Sequence, residues 1–132
     1  MKRLRLGLSY ALIVAACVLV FDVKQASAIK QFSDVFAEKY FKEAKTDEQK
    51  ALAEAAAKAK CNVCHDSKSK SKKDHNPYGK QLAKLLDKKA DKDDKKKIET
   101  ALTEVEKIKS VEGDSKAPTY GDLIKQGKLP AE

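Results

Sequence analysis

An all-α fold is predicted by three observations. Apolar residues recur at three- and four-residue spacing in five segments, a helix-capping residue precedes most of them, and no stretch alternates as a strand would. Phe32, Val35, Phe36, Tyr40 and Phe41 follow this spacing around Ser33, a good N-cap, and predict a helix from about Asp34 to Glu43. Thr46 and Gln49 form a capping box, the hydroxyl and the amide each meeting a free backbone N–H, so a second helix is expected from Asp47 to about Val63. Leu52, Ala55, Ala56, Ala59 and Val63 mark its inner stripe, whose small residues admit a partner helix or a flat ligand.

Residues 65–74 are polar, dense in Ser and Lys, and without period, so they read as a solvated loop. Asn76 and Pro77 then start a third helix, Asn as cap and Pro at the position where a missing N–H costs nothing. Its buried face carries Tyr78, Leu82, Leu85 and Leu86. Asp91, Asp93 and Asp94 place negative charge at the start of a fourth helix bearing Ile98, Ala101, Leu102, Val105 and Ile108, the strongest amphipathic pattern in the chain. Gly113 breaks it, and a short last helix is expected from about Thr119 to Gln126, stopped by Gly127 and Pro130. Tyr78-Gly79 and Tyr120-Gly121 each open a helix, an echo whose glycines allow close backbone approach either to a ligand or to the chain itself.

The 132 residues carry 28 Lys+Arg against 20 Asp+Glu, a net charge of +8. Residues 1–28 read as a secretory signal peptide: Lys2, Arg3 and Arg5, then an apolar run from Ala11 to Phe21, then Ala26-Ser27-Ala28, with cleavage expected before Ile29. The run is shorter than the roughly 20 residues of a membrane span. Two alternatives stand beside this reading, an uncleaved N-terminal anchor and a lipid-modified Cys17 in a bacterial lipoprotein box. Residues 29–132 then form one small domain of 104 residues with 24 Lys, no Arg, 19 Asp+Glu and a net charge of +5. So small a domain with few large apolar side chains needs help from a disulfide, a metal or a cofactor.

Cys61-Asn62-Val63-Cys64-His65 is a C-x-x-C-H motif, the pattern of covalent c-type haem attachment. Two Cys three residues apart project from one side of a helix end and can each add to one of the two haem vinyl groups, with the adjacent His beneath the iron. Three other readings compete with it. A thioredoxin-like redox pair expects a βαβ setting, a zinc site needs a fourth ligand beside Cys61, Cys64 and His75 unless His65 folds back onto the metal, and a disulfide here would close a small, strained loop.

On this motif, with the helix from Asp47 leading into it, the chain resembles small bacterial monohaem c-type cytochromes. The resemblance implies a cytochrome c-like helical domain built around one haem c, with Cys61 and Cys64 on the porphyrin and His65 as proximal iron ligand. It implies an exported, periplasmic carrier of single electrons rather than an enzyme. There are two departures. Met1 is the only Met and leaves with the signal, so the loop at Ala117-Pro118-Thr119-Tyr120 offers no Met to the far side of the iron. A long C-terminal helix across the first helix is also missing unless the fourth takes its place.

His75 is the leading candidate for the sixth position. Ten extended residues from His65 reach roughly 33 Å, enough to pass around a haem edge. The bland reading leaves His75 solvated beside Asp74, and an open or Lys-bound iron is a further one. An open position would suit a ligand sensor or a peroxidase-like enzyme, although no distal His-Arg pair for splitting peroxide is recognisable. From Lys58 to Lys80 the balance is +5, seven Lys against Asp66 and Asp74, and residues 29–132 are otherwise neutral. A one-signed patch beside a redox centre steers an acidic redox partner. Nucleic acid fits poorly, because an exported chain rarely meets it and no aromatic residues interleave the patch.

Overall fold

The computed structural model describes residues 24–69 and 73–131. Five α-helices follow in chain order: α1 Lys24–Phe41, α2 Asp47–Ala59, α3 Pro77–Leu85, α4 Lys95–Glu106 and α5 Tyr120–Lys125, with a 3₁₀ turn at Lys60–Val63 after α2. There is no sheet among the described residues. Two isolated antiparallel bridges, His65 with His75 and Lys109 with Thr119, tie loop ends together. The expected all-α class is what the chain adopts.

Capping chemistry sets the starts of four helices. Thr46 accepts from the Gln49 N–H while Gln49 returns a bond to the Thr46 N–H, Asn76 accepts from Gly79, Asp94 from Lys97, and Thr119 from Asp122 in a second capping box. Two expectations fail. Ser33 does not start the first helix, because α1 already runs from Lys24; a cap preference of about 1 kcal/mol does not interrupt a helix whose backbone bonds are already made. The point before Ile29 where cleavage is expected therefore falls within α1. Earlier residues, with the apolar run and Cys17, lie outside the described part.

The second helix also stops short. Its regular turns end at Ala59, and Lys60, at φ 52°, turns the chain out of the helix so that Cys61 begins a tighter turn. A side chain in this left-handed region is strained by about 1–3 kcal/mol, a cost the surrounding contacts have to offset.

Helix α4 is the centre of the packing and touches α1, α3 and α5. Ile98, Ala101, Leu102 and Val105 of its expected stripe are buried, packed among Val35, Phe36, Leu52, Tyr78, Tyr120 and Ile124. Ile108 lies past the helix end and is half-buried, and Leu85, expected on the buried face of α3, is exposed because its side of the helix faces solvent. Helix α4 packs against α1, and polar bonds line their shared edge, Lys95 to Glu38 and Tyr40 to Glu106, with Gln31 reaching Asp93 just before α4. The two Tyr-Gly helix starts meet in the core, their Tyr78 and Tyr120 rings 5.2 Å apart edge to face. Both glycines are explained by packing on the chain itself. A Cβ on Gly79 would stand 1.9 Å from the Cys64 carbonyl oxygen, and one on Gly121 would crowd Glu106 at 3.1 Å. No helix among the described residues is long and apolar enough to cross a membrane.

Three aspartates bind loops to helix starts and are held below the ordinary value of 3.8: Asp87 by the Ala90 and Lys89 N–H groups, Asp91 by Lys97 and the Asp87 N–H, Asp122 by the Thr119 backbone and hydroxyl. A depressed folded value means stability that is full above the unfolded value and disappears as pH falls through the folded one. Melting temperature followed by circular dichroism should therefore drop from about pH 5 downward, and Asp91→Asn should flatten that drop; an unchanged slope would show that the Asp91 tie contributes nothing.

Candidate functional site

The C-x-x-C-H segment lies at the end of α2, where the 3₁₀ turn leaves its carbonyls without helical partners. Asn76 supplies them. Its side-chain N–H groups donate to the Asn62 and Val63 carbonyls, each at 3.0 Å, while its oxygen accepts from the Gly79 N–H at 2.8 Å. One buried amide thus caps α3 and holds the motif against it. The bridge reinforces this hold, because the Asn76 N–H donates to the Cys64 carbonyl at 3.1 Å and the Asp66 N–H to the Asp74 carbonyl at 3.0 Å. The close seat of Gly79 on the Cys64 carbonyl follows.

A cavity of about 400 Å³ opens beside this junction. Cys61, Cys64, His65 and His75 all line it. The rest of its wall is chiefly apolar: Phe32, Phe36 and Phe41 from α1, Ala56 from the small-residue stripe of α2, Leu82, Ala83 and Leu86 from α3, Ile98 and Leu102 from α4. A concave apolar site of this size with a few convergent polar groups is the usual form of a cofactor or ligand site.

The reactive groups differ in their surroundings. Cys61 is exposed and Cys64 partly buried, and both are free thiols. Burial, with a smaller contribution from neighbouring Cys61, pushes the Cys64 thiol up to about 12, so it stays protonated at neutral pH. The His65 Nδ1 lies 3.2 Å from the Asp74 carbonyl oxygen. A carbonyl can only accept, so Nδ1 carries the proton and Nε2 the lone pair, the tautomer in which a histidine ligates a metal.

His75 lies beside its partner in the bridge: the two imidazole rings stack with centroids 4.8 Å apart and planes at 24°. Rings in such a stack leave no room for a porphyrin between them, so His75 has to leave it to reach an opposite face. The loop at Ala117–Tyr120 pairs with residues 108–110 and lines no part of the cavity. Among the described residues no group of three or more His, Cys, Asp or Glu stands together as a metal cage.

Haem fits the residues present. A flat apolar ring suits the Phe and Leu walls, two thiols and an imidazole line the same cavity, and the small side chain of Ala56 leaves room on the α2 side. Of the basic patch, Lys60 and Lys73 line the cavity, Lys58, Lys68 and Lys80 are exposed nearby in sequence, and Lys70 and Lys72 lie outside the described residues. Sequence reasoning missed the aromatic wall from α1, Lys88 on the rim and the double role of Asn76; the only signal for the last was a capping Asn so close after the motif.

Asn76→Asp keeps the cap oxygen and loses the donors to the motif, whereas Asn76→Ala loses both. Replacement by Ala should cost about 2–3 kcal/mol in denaturant unfolding, and the Asp variant should still lose about 1–2. An Asp variant as stable as the parent would reduce Asn76 to a simple cap. Compared with family models, with curated proteins and with solved structures, the chain matches none, so its function rests on the residues of this cavity.

Proposed function

We propose that the chain is an exported c-type cytochrome that carries single electrons, with Cys61 and Cys64 holding one haem c and His65 ligating its iron. The observation that carries this reading is the convergence of both thiols and His65 on one apolar cavity, with Nδ1 of His65 engaged by the Asp74 carbonyl. When bound, the haem supplies a one-electron ferric/ferrous couple. The chain's own residues do the rest. Asn76 and Gly79 fix the motif, the Asp74 carbonyl orients His65, and the Phe32, Phe36, Phe41 and Leu82 walls keep water from the ring. A dry, apolar surrounding and the axial ligand are the levers by which a protein sets such a potential.

Exposed Lys58, Lys60, Lys68, Lys73 and Lys80 surround the entrance or follow it in sequence. Positive charge there orients an acidic redox partner toward the cavity and raises its association rate more than its affinity. Electron transfer to such a partner should slow several-fold as ionic strength rises past about 0.1 M, where charges more than about 10 Å apart are screened. A rate indifferent to salt would show that the patch steers nothing.

A second reading, a ligand sensor or peroxidase-like protein with an open sixth position, is favoured by the stack of His75 on His65. The backbone bridge keeps His75 on the side of its neighbour. Protein produced with c-haem maturation machinery should give a pyridine haemochrome spectrum of covalent c-haem, lost in Cys61→Ala/Cys64→Ala; absence of covalent haem in the parent removes both readings. The ferric spectrum then separates them. A carrier ligated by His75 is low-spin and turns high-spin in His75→Ala, whereas a high-spin spectrum that the substitution leaves unchanged assigns the open position.

A further inference from the structure

Three lysines line the cavity. Lys60 precedes Cys61 and Lys73 lies two residues before His75, so both belong to the end that carries the motif. Lys88 stands three residues past the end of α3, the helix whose first turn holds Gly79. The cavity wall along α3 starts at Gly79, seated on the Cys64 carbonyl, and continues through Leu82 and Ala83 to Leu86. At ~1.5 Å per helical residue this carries the chain about 10 Å from the motif before Lys88 is reached.

Lys88 also stands on a braced turn. The Asp87 carboxylate accepts from the Lys89 and Ala90 N–H groups at 2.8 and 2.7 Å. Buried Asp91 accepts from the Asp87 N–H at 2.7 Å and pairs with Lys97 at 2.8 Å. The ion pairs of this region join Lys97 to Asp91 and Lys92 to Asp93, and among the described residues no carboxylate pairs with the exposed Lys88.

The polarity of haem matches this layout. Its two vinyl groups, the points of thiol attachment, lie toward one edge and its two propionates on the opposite edge. Resting on the haem reading above, we propose that Lys88 is a propionate-binding residue: thiols that hold the vinyl edge leave the propionate edge toward the end of α3 that Lys88 follows. Lys60 and Lys73 stand at the motif end, so it is attachment of the vinyl edge to the thiols that carries the carboxylates away from them and leaves Lys88 to meet them. The neighbouring Lys89 does not line the cavity and serves as the control.

The test is equilibrium binding of ferric protoporphyrin IX and of its dimethyl ester, which has the same ring without free carboxylates, to the full chain with reduced thiols at low salt, read by Soret absorbance. Lys88→Ala should weaken the free-acid haem about three- to fivefold, the range of an exposed ion pair, and leave the ester unchanged. Lys88→Arg should bind both as the parent does, and so should Lys89→Ala. Equal affinity of parent and Lys88→Ala for the free acid overturns the assignment, as does an equal loss for acid and ester, which would mark a packing role. A parent that binds neither compound overturns the haem reading itself, and the propionate assignment with it.

Discussion

The side-chain amide of Asn76 is the interaction on which the rest of the site depends. Ending α2 early frees the carbonyls of Asn62 and Val63, and a buried carbonyl without a donor costs more than an ordinary hydrogen bond contributes. Asn76 removes that cost with two N–H bonds and, by the same group, caps α3. Helix and motif are thereby fixed to each other rather than merely adjacent. Gly79 can sit on the Cys64 carbonyl, and the Leu82 and Leu86 side of α3 becomes a cavity wall, only because of that register.

This construction leaves an apolar hollow in a small domain. Phe32, Phe36, Phe41 and Leu82 line space that close packing would ordinarily fill, and their contacts on that side are forgone. A flat ligand recovers them, since apolar area removed from water is worth about 25 cal/mol per Å², and a ligand that binds only the folded chain stabilises it in proportion to its affinity and concentration. The hollow is tolerated because the other face of the same helices is well packed. Tyr78, Leu52, Val105 and Tyr120 are among the most deeply buried side chains and line no part of the cavity, and α4 joins α1, α3 and α5.

Electrostatic organisation follows the same division. Acidic side chains are used for structure: Asp87 and Asp91 brace a turn, Asp94 and Asp122 cap helices, and Glu106 receives Tyr40 and Lys39 along the α1–α4 edge. Among the described residues Lys58, Lys60, Lys68 and Lys80 form no such pair, so positive charge gathers around the motif while the frame is neutral. Burial and the neighbouring Tyr78 and Glu106 push the Tyr40 hydroxyl well above its usual range, which keeps that edge a neutral donor bonded to a carboxylate.

By itself the sequence determined the all-α class, the Thr46 capping box, the Asn76-Pro77 start, most of the buried stripe of α4 and the motif, because each depends on spacing along one helix or on neighbours within four residues. It could not determine where α1 begins or that α2 breaks at Lys60, since cap and helix preferences are small beside the packing and backbone bonds that override them. Nor could it bring Phe32, Leu86 and Leu102 to one wall, place Lys88 on the rim or stack His75 on His65. Those juxtapositions join residues far apart in the chain, and only the tertiary fold, through the Asn76 clamp and the hub of α4, decides which distant side chains share one cavity.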